Sequence, residues 1–174
     1  NNNASTRKYF IDQTTGYASN TAVIVRRSPE LLLFAADLAE MGSKQVDWDE
    51  FWRHNAGPIN DLAGSIPFLA SPGNHEYHDY FTEAGEMGMR KYLSYFEFEP
   101  NGSPVPEDQQ ERVHRLDYGK ATFLFLDLNN GLDSDPAKDT NLYLHEATCR
   151  APLFHETSEQ YKWLEAQLAD AQRR

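Results

Sequence analysis

Six consecutive apolar residues, 31–36, restrict the fold of this chain more than any other segment. The run Leu31-Leu32-Leu33-Phe34-Ala35-Ala36 has the length of a strand, and its unbroken apolar character predicts a strand that is buried on both faces. A second short strand is predicted at 66–70, before the turn Ser71-Pro72-Gly73. Large apolar side chains at helical spacing predict a helix over 46–62. Strands that alternate with helices predict an α/β domain with a largely parallel sheet.

The remaining segments give weaker signals of both kinds. They predict a strand at 9–11, a helix at 18–27, a short helix near 89–95 and a hairpin that pairs 113–116 with 121–128 across 117–120. A final helix is predicted over 158–171, with Ser158 as its N-cap and with Tyr161, Leu164 and Leu168 on its apolar face. The segments 77–112 and 129–157 are expected to be mostly loop.

Length and charge limit the classes of function. The 174 residues contain no linker and predict one domain over 1–174, while the net charge of -11 disfavours nucleic-acid binding as the main function. No run of about 18 apolar residues is present, so no membrane span is expected. The single cysteine, Cys149, excludes an internal disulfide and fits any compartment. Glycosylation triplets occur at 3–5 and 101–103, but two such triplets arise easily by chance and do not establish secretion. The compartment is left open, with a secreted or extracytoplasmic location favoured over a cytoplasmic one.

Polar residues follow three of the predicted strands. Asp12 follows the first strand, Asp37 the second, and the run Gly73-Asn74-His75-Glu76 the third. The carboxyl ends of parallel strands meet at one edge of a sheet, where ligands bind. Oxygen donors with a nearby imidazole suit a pair of divalent cations. A turn aspartate, a helix-capping aspartate and a hydrogen-bonded histidine are the simpler interpretations of the same residues.

The segments that carry these residues resemble the motifs of calcineurin-like metallophosphoesterases, a superfamily that includes the purple acid phosphatases. Residues 33–42 resemble its GD-x-x-x-x-G motif, and 72–76 resemble its GNHE motif. Residues 112–119 resemble the strand pair that follows, and 159–164 resemble the helix with Q-x-x-W-L. The resemblance extends from about Tyr9 to Ala171.

The resemblance implies a fold, a reaction and a metal centre. The fold would be part of a four-layer αββα sandwich, with a mostly parallel or mixed sheet flanked by helices. The reaction would be hydrolysis of phosphate monoesters or diesters by a water activated at a dinuclear centre of Fe, Zn or Mn. By the same resemblance, Asp12 would bind the first metal, Asp37 would bridge both metals, and Asn74 would bind the second.

Three further residues receive roles beside the metals. By the resemblance, His75 would stabilise developing charge or protonate the leaving group. Glu76 is expected to orient its loop or His75 from behind the metal ligands. His78 is near enough in sequence to contact the phosphoester substrate.

The chain also departs from the pattern of the family. Ala36 stands where the family has glycine, Thr14 stands where many members have histidine, and no later metal-binding histidines follow the 158–171 helix. The chain is therefore expected to be the N-terminal half of a catalytic domain completed by a later segment or another chain, or else a shortened form with a different role. The alternative function is a non-catalytic binding or scaffold domain. By itself, the chain is expected to hold metals weakly and to hydrolyse substrates poorly.

Overall fold

The computed structural model of the chain describes residues 13–57, 61–77, 83–98, 102, 111–127 and 159–174. These residues form a mixed α/β structure. In chain order its elements are α1 (Gln13–Arg27), β1 (Leu32–Ala35), α2 (Gln45–Asn55), α3 (Leu62–Ser65), β2 (Phe68–Ser71), α4 (Glu83–Tyr95), β3 (His114–Tyr118), β4 (Ala121–Phe125) and α5 (Glu159–Ala171). The predicted strand at 9–11, Asp12, His78, Cys149 and Ser158 lie outside the described residues. None of the described helices is long and apolar enough to cross a membrane.

The described strands form two small sheets rather than one largely parallel sheet. β1 and β2 pair in parallel, from Leu32 opposite Phe68 to Ala35 opposite Ser71. β3 and β4 form the predicted antiparallel hairpin in a separate sheet. The hairpin loop contains only Gly119 and Lys120, and Gly119 has a φ of 59°, which suits a glycine in a two-residue hairpin loop.

The core lies between the β1–β2 sheet and the helices α2 and α4. Phe34 of β1 packs edge-on against Phe68 of β2 and Phe51 of α2, with ring centroids 5.4 and 5.9 Å apart. From α4, the buried Tyr92 donates a hydrogen bond from its hydroxyl to the carbonyl of Ala70 at 2.9 Å. The aromatic side chains therefore join both helices to the same two strands.

Burial alternates along β1, so the expectation that this strand is buried on both faces is wrong for the described residues. Leu33 and Ala35 are exposed, with 44% of Leu33 accessible, whereas Phe34 contacts the core. The run of apolar residues predicted a strand correctly. It could not show that packing helices cover one face only, because both faces of this strand carry apolar side chains.

The predicted helix at 46–62 is also wrong in its length. α2 ends at Asn55, where the N–H of Ala56 bonds the carbonyl of Trp52 at 2.7 Å, and the short helix α3 begins only at Leu62. The sequence Gly57-Pro58 explains the break, since proline disfavours helical conformation in the residue before it and glycine weakens a helix.

α1 begins five residues earlier than predicted and is held by contacts with α2. Tyr17 packs edge-on against His54, with centroids 5.0 Å apart, and its hydroxyl donates to Asn55 Oδ1 at 3.0 Å. These contacts stabilise a first turn that contains the poor helix former Gly16. Tertiary packing thus overrides local propensity at this end of the helix.

The buried face of α5 differs from the predicted one. Leu168 is 49% exposed, whereas Gln160 and Trp163 are buried. Tyr161 and Leu164, also predicted on the apolar face, are half-buried. The helix therefore turns a glutamine toward the rest of the chain, because that side chain has a specific hydrogen-bonding partner, described below.

A buried histidine occupies the start of the hairpin. His114 is 1% exposed and lies between Phe125 and Phe98, with ring centroids 4.1 and 4.4 Å away. Within the described part of the chain, neither of its ring nitrogens makes a well-directed hydrogen bond, and the nearby backbone of Glu111 only partly opposes the effect of burial on the pKa of the ring. Burial lowers the pKa of His114 from 6.5 to about 4, so the ring is neutral in the folded protein.

We expect His114 to make the fold sensitive to acid. An unfolded chain takes up a proton on this ring below pH 6.5, whereas the folded chain resists it until about pH 4. The stability that the neutral ring contributes is complete above pH 6.5, and between that pH and about pH 4 it is lost by about 1.4 kcal/mol for each pH unit. Urea unfolding of His114→Phe should show a shallower fall in stability between pH 7.5 and 5.5 than the parent chain. Equal slopes in the two proteins would contradict this assignment, and the difference in stability between the two proteins should be constant between pH 7.5 and 8.5.

Candidate functional site

Two loops lie side by side at the carboxyl ends of β1 and β2. We call residues 36–43, after β1, the Asp37 loop and residues 72–77, after β2, the His75 loop. The parallel pairing of Ala35 with Ser71 brings both loops to one edge of the sheet. The N–H of Gly42 donates to the carbonyl of His75 at 2.9 Å, and the N–H of His75 donates to Asp37 Oδ1 at 3.1 Å. The sequence prediction that these two segments meet is therefore correct.

The carboxylate of Glu76 holds the two loops together. The side chain is fully buried, and its Oε1 accepts hydrogen bonds from the N–H groups of Leu38 and Ala39 at 2.8 and 3.0 Å. Its Oε2 accepts from the N–H groups of Gly73 and Asp37 at 2.7 and 3.1 Å. One side chain thus satisfies three backbone donors of the Asp37 loop and one of its own.

This arrangement places a charged group in a poorly solvated position. Burial raises the pKa of Glu76 above its ordinary value, the backbone N–H groups act in the opposite direction, and the negative charge of Asp37 adds to the rise. The pKa of Glu76 is thus higher in the folded chain than in the unfolded chain. Folding therefore becomes less favourable as the pH rises and this carboxyl group ionises. The carboxylate therefore orders the loops at some cost in stability, which is common near functional sites.

Three glycines allow the two loops to approach so closely. A Cβ on Gly42 would lie 2.5 Å from the carbonyl oxygen of Glu76. A Cβ on Gly73 would overlap Asp37 Oδ1, and one on Gly88 of α4 would overlap the same Glu76 carbonyl oxygen. These positions lack room for any side chain. Gly88 was not singled out in the sequence, because nothing in α4 identifies the helix as a neighbour of the His75 loop.

The backbone of the Asp37 loop has an unusual conformation. Ala36 and Asp37 have φ angles of 68° and 55°, in the left-handed region that residues with a Cβ rarely adopt. Glycine, which stands at this position in the motif that residues 33–42 resemble, would adopt this conformation without strain. The structure thus supplies a physical reason why the departure at Ala36 matters.

The side chains predicted to bind metals or substrate differ in their exposure to solvent. Asp37 and Asn74 are exposed and His75 is half-buried. The Nδ1 of His75 lies 2.6 Å from the carbonyl oxygen of Glu40, an atom that only accepts hydrogen bonds. In the neutral ring, Nδ1 therefore carries the proton and Nε2 has the lone pair. Asp12 and His78, the other predicted site residues, lie outside the described residues.

A groove of about 940 Å³ begins beside Asp37. It runs between α1, α2 and the Asp37 loop, and Tyr17, Phe51 and Glu40 are among the residues that line it. The groove leaves space for a ligand next to the exposed carboxylate of Asp37.

Two exposed side chains at this edge carry oxygen atoms of the kind that divalent cations bind. Asp37 supplies a carboxylate whose Oδ1 is already oriented by the N–H of His75, and the exposed Asn74 supplies a neutral oxygen. Within the described part of the chain, no three side chains of His, Cys, Asp or Glu come together as a metal site would require. The described residues therefore provide two of the donors that the sequence predicts, and the third lies outside them.

Comparisons of this chain with family models, with curated proteins and with solved structures found no match. The resemblance to calcineurin-like metallophosphoesterases thus remains a prediction from the residues themselves.

We expect Ala36→Gly to stabilise the chain. The substitution removes the Cβ from a residue with a φ of 68°, which relieves left-handed strain, but it also increases the freedom of the unfolded chain. The net gain should be roughly 0.5–1 kcal/mol in the free energy of unfolding, measured by urea denaturation. Ala35→Gly, in the neighbouring strand, is the control and should destabilise the chain. A loss of stability in Ala36→Gly would show that the loop does not have this conformation in solution.

Gly73→Ala should have the opposite effect. Its new methyl group would overlap Asp37 Oδ1 and lie 2.6 Å from the backbone nitrogen of Asp37, so the two loops must separate. Overpacking of this kind costs about 1–3 kcal/mol. Gly16→Ala is a suitable control, because a Cβ there meets no atom within 4 Å. Equal stability of Gly73→Ala and the parent in denaturation experiments would contradict the close packing of the loops.

Proposed function

We propose that the Asp37 and His75 loops form part of a site that hydrolyses phosphate esters with the help of bound metal ions. The observation that carries this proposal is the Glu76 carboxylate, whose four backbone hydrogen bonds fix both loops while Asp37 and Asn74 remain exposed. A buried side chain thus holds the loops rigidly, while the oxygen atoms that would bind metals stay accessible, as a catalytic site requires. The proposed architecture is the four-layer αββα sandwich, of which the described residues would form one part.

The metal centre would be built on oxygen donors from the strand ends. Asp37 would bridge two cations, Asn74 would bind one of them, and Asp12 would bind the other. Bound there, two ions of Fe, Zn or Mn would neutralise charge on the phosphoryl group and lower the pKa of an attacking water.

His75 would act on the substrate rather than hold the metals. Its Nδ1 is held by the carbonyl oxygen of Glu40 at 2.6 Å, which fixes the plane of the ring. With Nδ1 held in this way, Nε2 is the ring nitrogen that would pass a proton to the leaving oxygen or donate to a phosphoryl oxygen. The Glu40 contact supports a fixed direction for this donation, because the ring cannot rotate without losing the bond.

The alternative proposal is a non-catalytic domain that binds a ligand through the same loops. It is favoured by the absence, among the described residues, of a cluster of three His, Cys, Asp or Glu side chains. On this alternative, the ordered loops would serve as a rigid binding surface, and substitutions in them would change binding without any effect on hydrolysis.

Metal binding and hydrolysis together test the two proposals. With the gene product that contains this chain, hydrolysis of an aryl phosphate and of an aryl diester should require added Mn²⁺ or Zn²⁺. Asp37→Asn should weaken metal binding in calorimetry and abolish turnover, because a bridging ligand loses its charge. His75→Ala should retain metal but lower kcat by roughly 10²–10⁴-fold. Asp49→Asn, which removes an exposed carboxylate on α2, is the matched control and should change neither.

Two results would decide against the proposed activity. Full turnover in Asp37→Asn would show that the metal ligands are assigned to the wrong residues. Metal binding by the parent protein, with no hydrolysis of any phosphoester tested, would favour the non-catalytic alternative.

A further inference from the structure

A buried polar network lies directly behind the His75 loop. Tyr77, the last residue of that loop, is 2% exposed, and both Asp127 and Gln160 are fully buried. Arg112, which precedes β3, completes the network and is 5% exposed. None of these side chains is predicted from the sequence to have a role, although Asp127 follows an apolar strand as Asp37 does.

The carboxylate of Asp127 is the centre of the network. Its Oδ2 accepts a hydrogen bond from the hydroxyl of Tyr77 at 2.5 Å and another from Nε of Arg112 at 2.7 Å. The guanidinium of Arg112 also lies over the ring of Tyr77, 5.7 Å from its centroid. Tyr77 is therefore held both at its hydroxyl and at the face of its ring.

Gln160 fixes the backbone of Asp127 against α5. Its Oε1 accepts from the N–H of Asp127 at 2.9 Å, and its Nε2 donates to the carbonyl of Asp127 at 3.0 Å. The amide of Gln160 therefore bonds both the backbone donor and the backbone acceptor of one residue, Asp127. This contact explains why α5 buries Gln160 and leaves Leu168 exposed.

The network reaches the candidate site through a single peptide bond. Tyr77 follows Glu76, and the Glu76 carboxylate binds the N–H groups of the Asp37 loop. A shift of the Tyr77 side chain would therefore move the backbone from which Glu76 extends. Gln160 of α5, Asp127, Tyr77 and Glu76 are therefore linked in sequence to the backbone of Asp37.

An apolar core would fill this space at lower cost. A buried ion pair such as Arg112 with Asp127 often stabilises a protein less than well-packed apolar residues of the same volume. The polar groups instead fix the orientation of Tyr77, since its hydroxyl can donate a hydrogen bond to the Asp127 carboxylate in only a narrow range of positions. The network therefore suits the precise placement of the His75 loop better than it suits stability alone.

We propose that Asp127 is a positioning residue for the candidate site, which holds the His75 loop in place through Tyr77 without touching a substrate. The catalytic consequence rests on the proposed function, whereas the effect on loop order does not. β4 and α5, which carry no predicted ligand, would thus control the geometry of the ligands that follow β1 and β2.

Tyr77→Phe is the most direct test of this proposal. It keeps the ring and its packing and removes only the hydroxyl that Asp127 accepts from. We expect the amide hydrogens of Leu38, Ala39 and Gly73 to exchange with solvent about tenfold faster, as loss of one hydrogen bond to a charged group predicts. Amides within α2 should exchange no faster than the change in the global stability of the variant predicts.

Tyr92→Phe is the matched control. Tyr92 is also buried, and the single proton of its hydroxyl is shared between the carbonyls of Ala70 at 2.9 Å and Glu111 at 3.2 Å, so its loss also removes buried hydrogen bonding. This variant should lose global stability without selective acceleration at Leu38, Ala39 and Gly73. If Tyr77→Phe changes exchange at these amides no more than Tyr92→Phe does, the positioning role is refuted.

Hydrolysis gives a second and separable measurement. In the gene product, Tyr77→Phe should lower kcat about tenfold at saturating Mn²⁺ and change KM by less than about threefold, because the ligands remain but are less well placed. An unchanged kcat in an active parent would also refute the role in positioning. If the parent shows no hydrolysis, while Tyr77→Phe still accelerates exchange selectively, the proposed function fails and the positioning role stands.

Discussion

The buried carboxylate of Glu76 is the interaction on which the rest of this structure depends. Two parallel strands bring two loops to one edge of a sheet, but four hydrogen bonds to Glu76 give those loops a defined shape. A neutral side chain could not replace it well, since an amide nitrogen would face N–H donors. Because burial raises the pKa of this carboxylate, its ionised form costs stability that the surrounding core must offset.

The core offsets that cost through aromatic packing on one face of the β1–β2 sheet. Trp48 and Tyr92, both fully buried, join α2 and α4 to the strands, and Ala39 brings the Asp37 loop into the same cluster. Gly88 allows α4 to lie directly against the carbonyl of Glu76. Packing and loop geometry are therefore coupled: the helix that completes the core also limits the space in which the loop can move.

Local signals predicted the elements better than they predicted the packing. The parallel strands, the hairpin and the meeting of Asp37 with His75 followed from apolar runs and from the rule for strand ends. The break after Asn55 was readable in Gly57-Pro58, although the spacing of aromatic residues suggested a continuous helix. The start of α1 and the exposure of Leu33 were not readable, because they depend on contacts between segments far apart in sequence. The network around Asp127 was missed for the same reason, since a buried aspartate and an exposed one look alike in a sequence.

The residues of the two loops divide according to whether folding alone explains them. Gly42 and Gly73 are needed because a Cβ at either position would collide with the other loop, and Glu76 is needed to satisfy backbone donors. These residues account for the loop geometry, and the proposed chemistry requires in addition the exposed side chains that this geometry holds in place. Asn74 is exposed, so its side chain contributes little to folding that a different polar residue could not contribute. Asp37 belongs to both groups, because one oxygen accepts the N–H of His75 while the residue remains exposed to solvent. The proposed metal chemistry therefore depends on Asp37 and Asn74 and not on the whole motif, and these are the side chains whose substitution separates an ordered loop from a working site.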